Sequence, residues 1–235
     1  MTVPDSTGRT RALGACAAAV CALLLTGCGS TVTGQPVAAR PSTVRHIAAG
    51  LTTLLPEPAQ FPARYPAVVL PPEAAAQAAG DLNGVIRGAT VRPDGCAPDE
   101  QQFGPDHTAI AVGSDETSRA TLTVELTRTR QPLSTLREQV LRCGEMRVAR
   151  AGATTTVSTE LDPPPPFYAD DTLALRRTVA PDVGGPGLTQ TMRTLVGQVG
   201  DVRIAVTYMT FSDAPPDTAA LDELFTTAVR KVREA

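Results

Sequence analysis

Between Ala120 and Thr127 every second residue is apolar: Ala120, Leu122, Val124 and Leu126 alternate with Thr121, Thr123, Glu125 and Thr127. The same period returns at Val202, Ile204, Val206 and Tyr208, interleaved with Arg203, Ala205 and Thr207. Successive side chains of a strand point to opposite faces, so so strict a period of two predicts antiparallel strands with one face on a core and the other wet. Weaker runs at Thr108 to Val112, Thr154 to Leu161, Leu173 to Val179 and Gln190 to Val199 extend the sheet, and Gly200-Asp201 falls at the turn of its last hairpin. Val68 to Leu70, set among prolines, can be at most an edge strand.

Four stretches carry a helical pattern instead. Val44, Ile47, Ala48, Leu51, Leu54 and Leu55 predict an opening helix that Pro56 and Pro58 stop. Pro72 suits the first turn of a second, Ala-rich helix from Glu73 to about Ala79, broken at Gly80. After Pro132, the spacing of Leu133, Leu136, Val140 and Cys143 predicts a third helix ended by Gly144. Asp217 caps a last helix reaching about Glu234, with Leu221, Leu224, Phe225, Ala228 and Val232 on one stripe. The order of elements predicts an α+β domain, an antiparallel sheet of about six strands with helices packed against it. With eight aromatic residues and no Trp in 235, the core must come from Val, Leu, Ile and Ala, and a sugar-stacking platform is hard to assemble.

Ahead of this domain, Arg9 and Arg11 precede an apolar run from Leu13 to Leu25, about 13 residues and too short to span a bilayer comfortably. It ends in Leu25-Thr26-Gly27-Cys28, the pattern of a lipobox. Residues 1–27 are therefore expected to be a lipoprotein signal peptide, cut so that Cys28 carries acyl chains. Each buried methylene adds about 0.8 kcal/mol of membrane affinity and one chain anchors only marginally, so two or more chains on Cys28 would hold the protein on the extracytoplasmic face of the cell membrane. Residues 28–43, rich in Thr, Pro and small side chains, read as a flexible tether, and 44–235 as a single extracytoplasmic domain. The formal charge of the chain is −3 and the signal segment holds only Asp5, Arg9 and Arg11, so the mature part has no basic excess and nucleic acid is not an expected partner. Lys231 is the single lysine among 21 Lys and Arg residues, a bias that fits a GC-rich genome.

Cys16 and Cys21 leave with the signal and Cys28 is taken by lipid, which leaves Cys96 and Cys143. In an oxidising compartment this pair is most simply a disulfide, worth roughly 4 kcal/mol on a chain-entropy view; a metal or redox pair is the alternative. No Cys-x-x-Cys, His-x-x-x-His, His-Glu-x-x-His or Gly-x-Ser-x-Gly motif occurs, and the two histidines, His46 and His107, are expected at the surface. Asp170-Asp171 reads as a solvated loop end, and Gly184 to Gly187 as a hairpin connection rather than a phosphate loop. No catalytic residue, metal or cofactor is expected. Pro163 to Pro166 form a polyproline rod that delivers Phe167 and Tyr168, which either contact a partner or plug the sheet edge. Phe61 and Tyr65 carry the same ambiguity.

The lipobox, the tether, the Phe61-Pro-Ala-Arg-Tyr-Pro segment, the Cys96 loop and the passage from Leu136 to Val148 together resemble a group of mycobacterial lipoproteins of unknown function. More distantly, they resemble the extracytoplasmic sensor domain of the mycobacterial receptor Ser/Thr kinase PknH. The resemblance implies a helix-decorated antiparallel sheet with a central cleft, held by disulfide, and a role in sensing or binding at the envelope. Unlike the kinase sensor, with its two disulfides, this chain has one available pair. The expected function is thus a non-enzymatic, ligand-binding or partner-binding envelope lipoprotein, with a carrier of lipid or another hydrophobic ligand as the alternative. Its expected partners are the membrane, through the lipid on Cys28, and a small or lipidic ligand or an envelope protein.

Metabolic labelling with a fatty-acid analogue checks the anchor. The chain is expected to take up label and partition with membranes, and Cys28→Ala to do neither; label retained by the variant would refute the anchor at Cys28.

Overall fold

In the computed structural model, which describes residues 44–164, 169–184, 188–212 and 214–235, nine antiparallel strands form one sheet. In chain order the elements are α1 (Leu51–Leu54), a 3-10 turn (Pro58–Gln60), β1 (Ala67–Val69), α2 (Pro72–Asn83), β2 (Thr90–Arg92), β3 (Thr108–Ser114), β4 (Thr121–Arg128), α3 (Leu133–Arg142), β5 (Glu145–Arg150), β6 (Ala153–Asp162), β7 (Asp171–Pro181), β8 (Gln190–Val199), β9 (Val202–Thr210) and α4 (Thr218–Arg233). Across the sheet the order is β1-β3-β4-β9-β8-β7-β6-β5-β2. The chain thus runs as a meander from β5 to β9, and β9 closes onto the β3–β4 hairpin. Among the described residues no helix is long and apolar enough to cross a membrane.

The two alternating runs fulfil their pattern. Val124 lies opposite Val206 and Leu126 opposite Ile204, while on the other face Glu125 lies opposite Ala205 and Thr127 opposite Arg203. The apolar face packs under α4, whose Leu221, Leu224, Phe225, Ala228 and Val232 share one core with Leu122, Val124, Leu126, Leu195, Ile204 and Val206. Each such side chain fully buried contributes about 1.5–3 kcal/mol, so this contact dominates the stability of the domain. Phe225 approaches the sheet closely because β8 has Gly197 beneath it: a Cβ there would lie 3.1 Å from the Phe225 ring. Asp217 caps α4 by accepting from the Ala220 amide at 3.1 Å, and Lys231 donates to the Leu55 carbonyl at 2.7 Å, tying the end of α4 to α1.

Three expectations need correction. The sheet has nine strands rather than about six, because β1, β2 and β5 add to it at its margins. β2 has three residues, and in β5 only Met146 and Val148 are buried between Glu145, Arg147 and Ala149, too short a pattern to stand out. The opening helix shrinks to Leu51–Leu54, because the preceding residues are recruited by Asp201 in the β8–β9 turn. The Asp201 amide donates to the Arg45 carbonyl, and its carboxylate accepts from the Ile47 amide at 3.0 Å, from His46 Nδ1 at 2.5 Å and from Arg128 at 3.1 Å. Arg128 also donates to the carbonyls of Ile47 and Ala49, so the segment is irregular rather than helical. Burial opposes the charge of Asp201, but these donors outweigh it and hold the carboxyl below the usual carboxylate range. Finally, α2 continues through Gly80 to Asn83, where Gly84 in the left-handed region ends it.

Phe61 and Tyr65 are buried in the main core, which resolves their ambiguity in favour of packing. Phe167 and Tyr168, and Gly185 to Gly187, lie outside the described residues.

Phe225→Ala is expected to lower the free energy of unfolding by about 3–5 kcal/mol, the usual cost of emptying a buried aromatic site. Leu141→Ala, at a position 71% exposed on α3, should change it by less than about 0.5 kcal/mol. Urea denaturation of the two variants separates these values; a small effect at Phe225 would contradict the packing described.

Candidate functional site

The face of the sheet opposite α4 is covered only in part. α2 packs Ala75 and Ala79 on Ile110 of β3 and then crosses the sheet, so that the Leu82 carbonyl receives Arg177 Nη1 from β7 at 2.5 Å. α3 sits farther along, with Leu133 and Val140 against Leu173, Leu175 and Val196. Between these helices the middle strands are covered by neither, and there the interleaved residues of the alternating runs face a chamber of about 170 Å³. Glu125 and Thr127 of β4, Arg203, Ala205 and Thr207 of β9, Thr194 and Val196 of β8, and Leu175 and Arg177 of β7 form its floor. Leu82 and Asn83 at the end of α2, Leu136 of α3 and Gln101 form its walls. It continues into an outer cleft of about 390 Å³, bordered by residues 98–102, His107, Arg128, and Leu136, Gln139 and Val140 on the inward side of α3.

The disulfide between Cys96 and Cys143 shapes the outer wall. It joins the loop after β2 to the end of α3, with 5.6 Å between the Cα atoms, and packs with Val91, Met146, Val148 and Val157. The loop that brings Gln101 over the floor is therefore fixed at its start. Gln101 Nε2 donates to Glu125 at 2.9 Å and the Thr127 hydroxyl donates to the same oxygen at 3.4 Å.

Three ionisable groups in the chamber feel one another. Burial pushes the Glu125 carboxyl up, with Gln101, Thr127, Arg177 and Arg203 opposing the shift. Burial pushes the guanidiniums of Arg177 and Arg203 down, with the charge of Glu125 opposing it. Arg177 is held by the Thr159 hydroxyl at 2.9 Å and the Leu82 carbonyl, and Arg203 by the Gln131 carbonyl at 2.8 Å and, at 3.5 Å, by Gln198. Among the described residues neither has a carboxylate at ion-pairing distance.

Of the residues singled out in the sequence, Cys96 and Cys143 border this site, and His107 lies exposed at its rim. His46 is surface-exposed and bonded to Asp201, in the pinned segment described above. Asp170 accepts from the Gly200 amide at 2.9 Å, so it braces the β8–β9 turn. Cys28, Phe167 and Tyr168 lie outside the described residues. Glu125, Arg177, Arg203 and Gln101 were not singled out. Glu125 and Arg203 sat on faces read as wet, and only the long-range placement of α2, α3 and the Cys96 loop turns that face into a chamber. Among the described residues no group of three or more His, Cys, Asp or Glu side chains is placed to hold a metal ion.

A glutamate whose carboxyl is raised by folding binds its proton more tightly in the folded state. Its contribution favours folding below the unfolded value of about 4.3 and is lost as the pH rises through the folded value. Glu125→Gln keeps an acceptor for Gln101 and removes the charge. The variant is expected to melt higher than the parent at pH 8, with the difference vanishing near pH 4; a variant less stable than the parent at pH 8 would contradict this.

No family model matches the chain, and no curated protein matches it in sequence. The distant resemblance drawn from the sequence is met again among solved structures. An uncharacterized protein of Mycobacterium smegmatis, the Rv0999 ortholog, is similar at 19% identity and a TM-score of 0.44, over 79% of this chain and 97% of that one. The extracellular domain of PknH from Mycobacterium tuberculosis is similar at 16% identity and a TM-score of 0.42, over 63% of this chain and 78% of that one.

Proposed function

We propose that the domain is a non-enzymatic binding module of a lipid-anchored envelope protein, displayed outside the cytoplasmic membrane through Cys28, and that it takes a small polar ligand in the cleft opposite α4. The observation that carries this reading is the chamber itself. Concave sites with a few converging polar groups among apolar walls are the usual form of small-molecule sites, and an outer cleft of about 390 Å³ falls within their customary range. Here the apolar lining is Leu82, Leu136, Leu175 and Val196, and the converging groups are Glu125, Arg177, Arg203 and the Thr194 and Thr207 hydroxyls.

The hydrophobic carrier is less well supported. Most of the small residues that could open an apolar cavity are used for packing: Ala109 and Ala111 are buried in the core and Ala75 and Ala79 lie on Ile110, while Ala205 opens onto the chamber between charged neighbours. Charged groups on the floor would be desolvated by an acyl chain with nothing in return.

Native mass spectrometry of the protein purified from its own host tests the reading. A small-molecule adduct is expected on the parent chain and should disappear in Ala205→Phe, which fills the chamber from its floor. A bare parent mass, or an adduct unaffected by the substitution, would contradict it. An adduct of phospholipid mass would favour the carrier.

A further inference from the structure

The charges in the chamber do not balance. Arg177 and Arg203 bring two positive charges and Glu125 brings one negative charge, and all three line the same enclosed space. Charges withdrawn from water are ordinarily paired, and all three of these side chains are partly withdrawn. Arg128 shows the ordinary solution in this fold: it is paired with Asp201 and caps two carbonyls, so although it borders the outer cleft its charge is already met. Among the described residues Arg177 and Arg203 have no such partner. Arg177 uses Nε and Nη1 on a hydroxyl and a carbonyl, and Arg203 uses Nε and Nη2 on an amide and a carbonyl. Nη2 of Arg177 and Nη1 of Arg203 keep their donors. Those neutral acceptors fix the orientation of each guanidinium and leave its charge unanswered. Asp99 and Glu100, the acidic residues along the rim, sit on the outer loop and reach neither arginine at ion-pairing distance.

We propose that the ligand of this cleft is a small organic carboxylate, whose anionic head is bound by the free donors of Arg177 and Arg203 while its apolar body lies against Leu136, Leu175 and Val196. This rests on the cleft being a ligand site. A monoanion brings the chamber to neutrality with Glu125 ionised, whereas a phosphate dianion would overshoot it unless Glu125 took up a proton. A planar carboxylate also matches the fork geometry that makes arginine its common partner. The walls restrict the rest of the molecule: an inner chamber of about 170 Å³ takes a compact body, with longer groups passing into the outer cleft.

The test compares four probes on the full-length protein in neutral detergent at pH 7.5 and low salt. Benzoate, its neutral isostere benzamide, the cation benzylamine and inorganic phosphate are titrated by calorimetry and by methyl resonances of Leu136, Leu175 and Val196. Benzoate is expected to bind about tenfold more tightly than benzamide, because its carboxylate answers the charge of the guanidiniums as well as their donors. Benzylamine and phosphate should bind less well than benzoate. Arg177→Gln and Arg203→Gln should each abolish the preference for benzoate over benzamide, with the larger loss falling on benzoate, and Arg203→Lys should keep part of the preference. Arg177 also holds the end of α2, so Glu125→Gln serves as a variant of opposite sign: it removes the competing charge and should tighten benzoate. Benzamide or benzylamine binding as well as benzoate would overturn the carboxylate assignment and leave the cleft as a ligand site. Phosphate binding more tightly than benzoate would overturn it in favour of a phosphate head. Binding by none of the four would overturn it together with the reading of the cleft.

Discussion

The packing of α4 on one face of the sheet is the contact on which the rest depends. It draws the large apolar side chains of β4 and β9, the core residues of β8 and Phe225 itself onto a single side. A chain with eight aromatic residues and no tryptophan has little left with which to fill a second core of equal size. On the opposite face of the same strands Thr123, Glu125, Thr194, Arg203, Ala205 and Thr207 are small, hydroxylated or charged, with the apolar Val196 beside them. A polar floor of this kind cannot be sealed under apolar helices without leaving groups unsatisfied. The two helices on that side accordingly pack at separate places, and the space between them remains as a cleft.

Three long-range ties hold that arrangement open. The Cys96–Cys143 bridge fastens the loop to the end of α3, Gln101 reaches from that loop to Glu125, and Arg177 holds the last turn of α2 through the Leu82 carbonyl. Each joins a covering element to another wall or to the floor. The Asp201 cluster does the corresponding work at one end of the sheet, where it fastens residues 45–49 to the β8–β9 turn. Rigidity of this sort suits a site whose task is recognition, because less ordering is required when a ligand arrives.

Much of the fold was legible because its signals are local. The alternation in β4 and β9, the stripe of α4 with its Asp217 cap, and the core-facing spacing of Leu133, Val140 and Cys143 all depend on residues near in sequence. What was misread depends on distant ones. Val44, Ile47 and Leu51 have a helical period, yet Asp201, more than 150 residues away, claims the Ile47 amide and keeps the segment out of a helix. β2 and β5 are short strands whose partners decide them. Glu125 and Arg203 looked like solvent-facing residues, and on their own strands they are; helices and a loop from elsewhere enclose them. Arg177 follows Arg176, and neighbours on a strand point to opposite faces, so only the sheet topology tells which arginine enters the chamber and which pairs with Glu160 at the surface.

The central claim is that the uncovered strip of the sheet is a binding site and not a packing remnant. A crystal structure of the protein isolated from its own envelope, without denaturing or extraction of bound molecules, tests it most directly. The account predicts density from a small organic molecule within hydrogen-bonding distance of Arg177 and Arg203, with Gln101 still on Glu125. A chamber holding ordered water alone, with the arginines turned onto protein carboxylates, would contradict it.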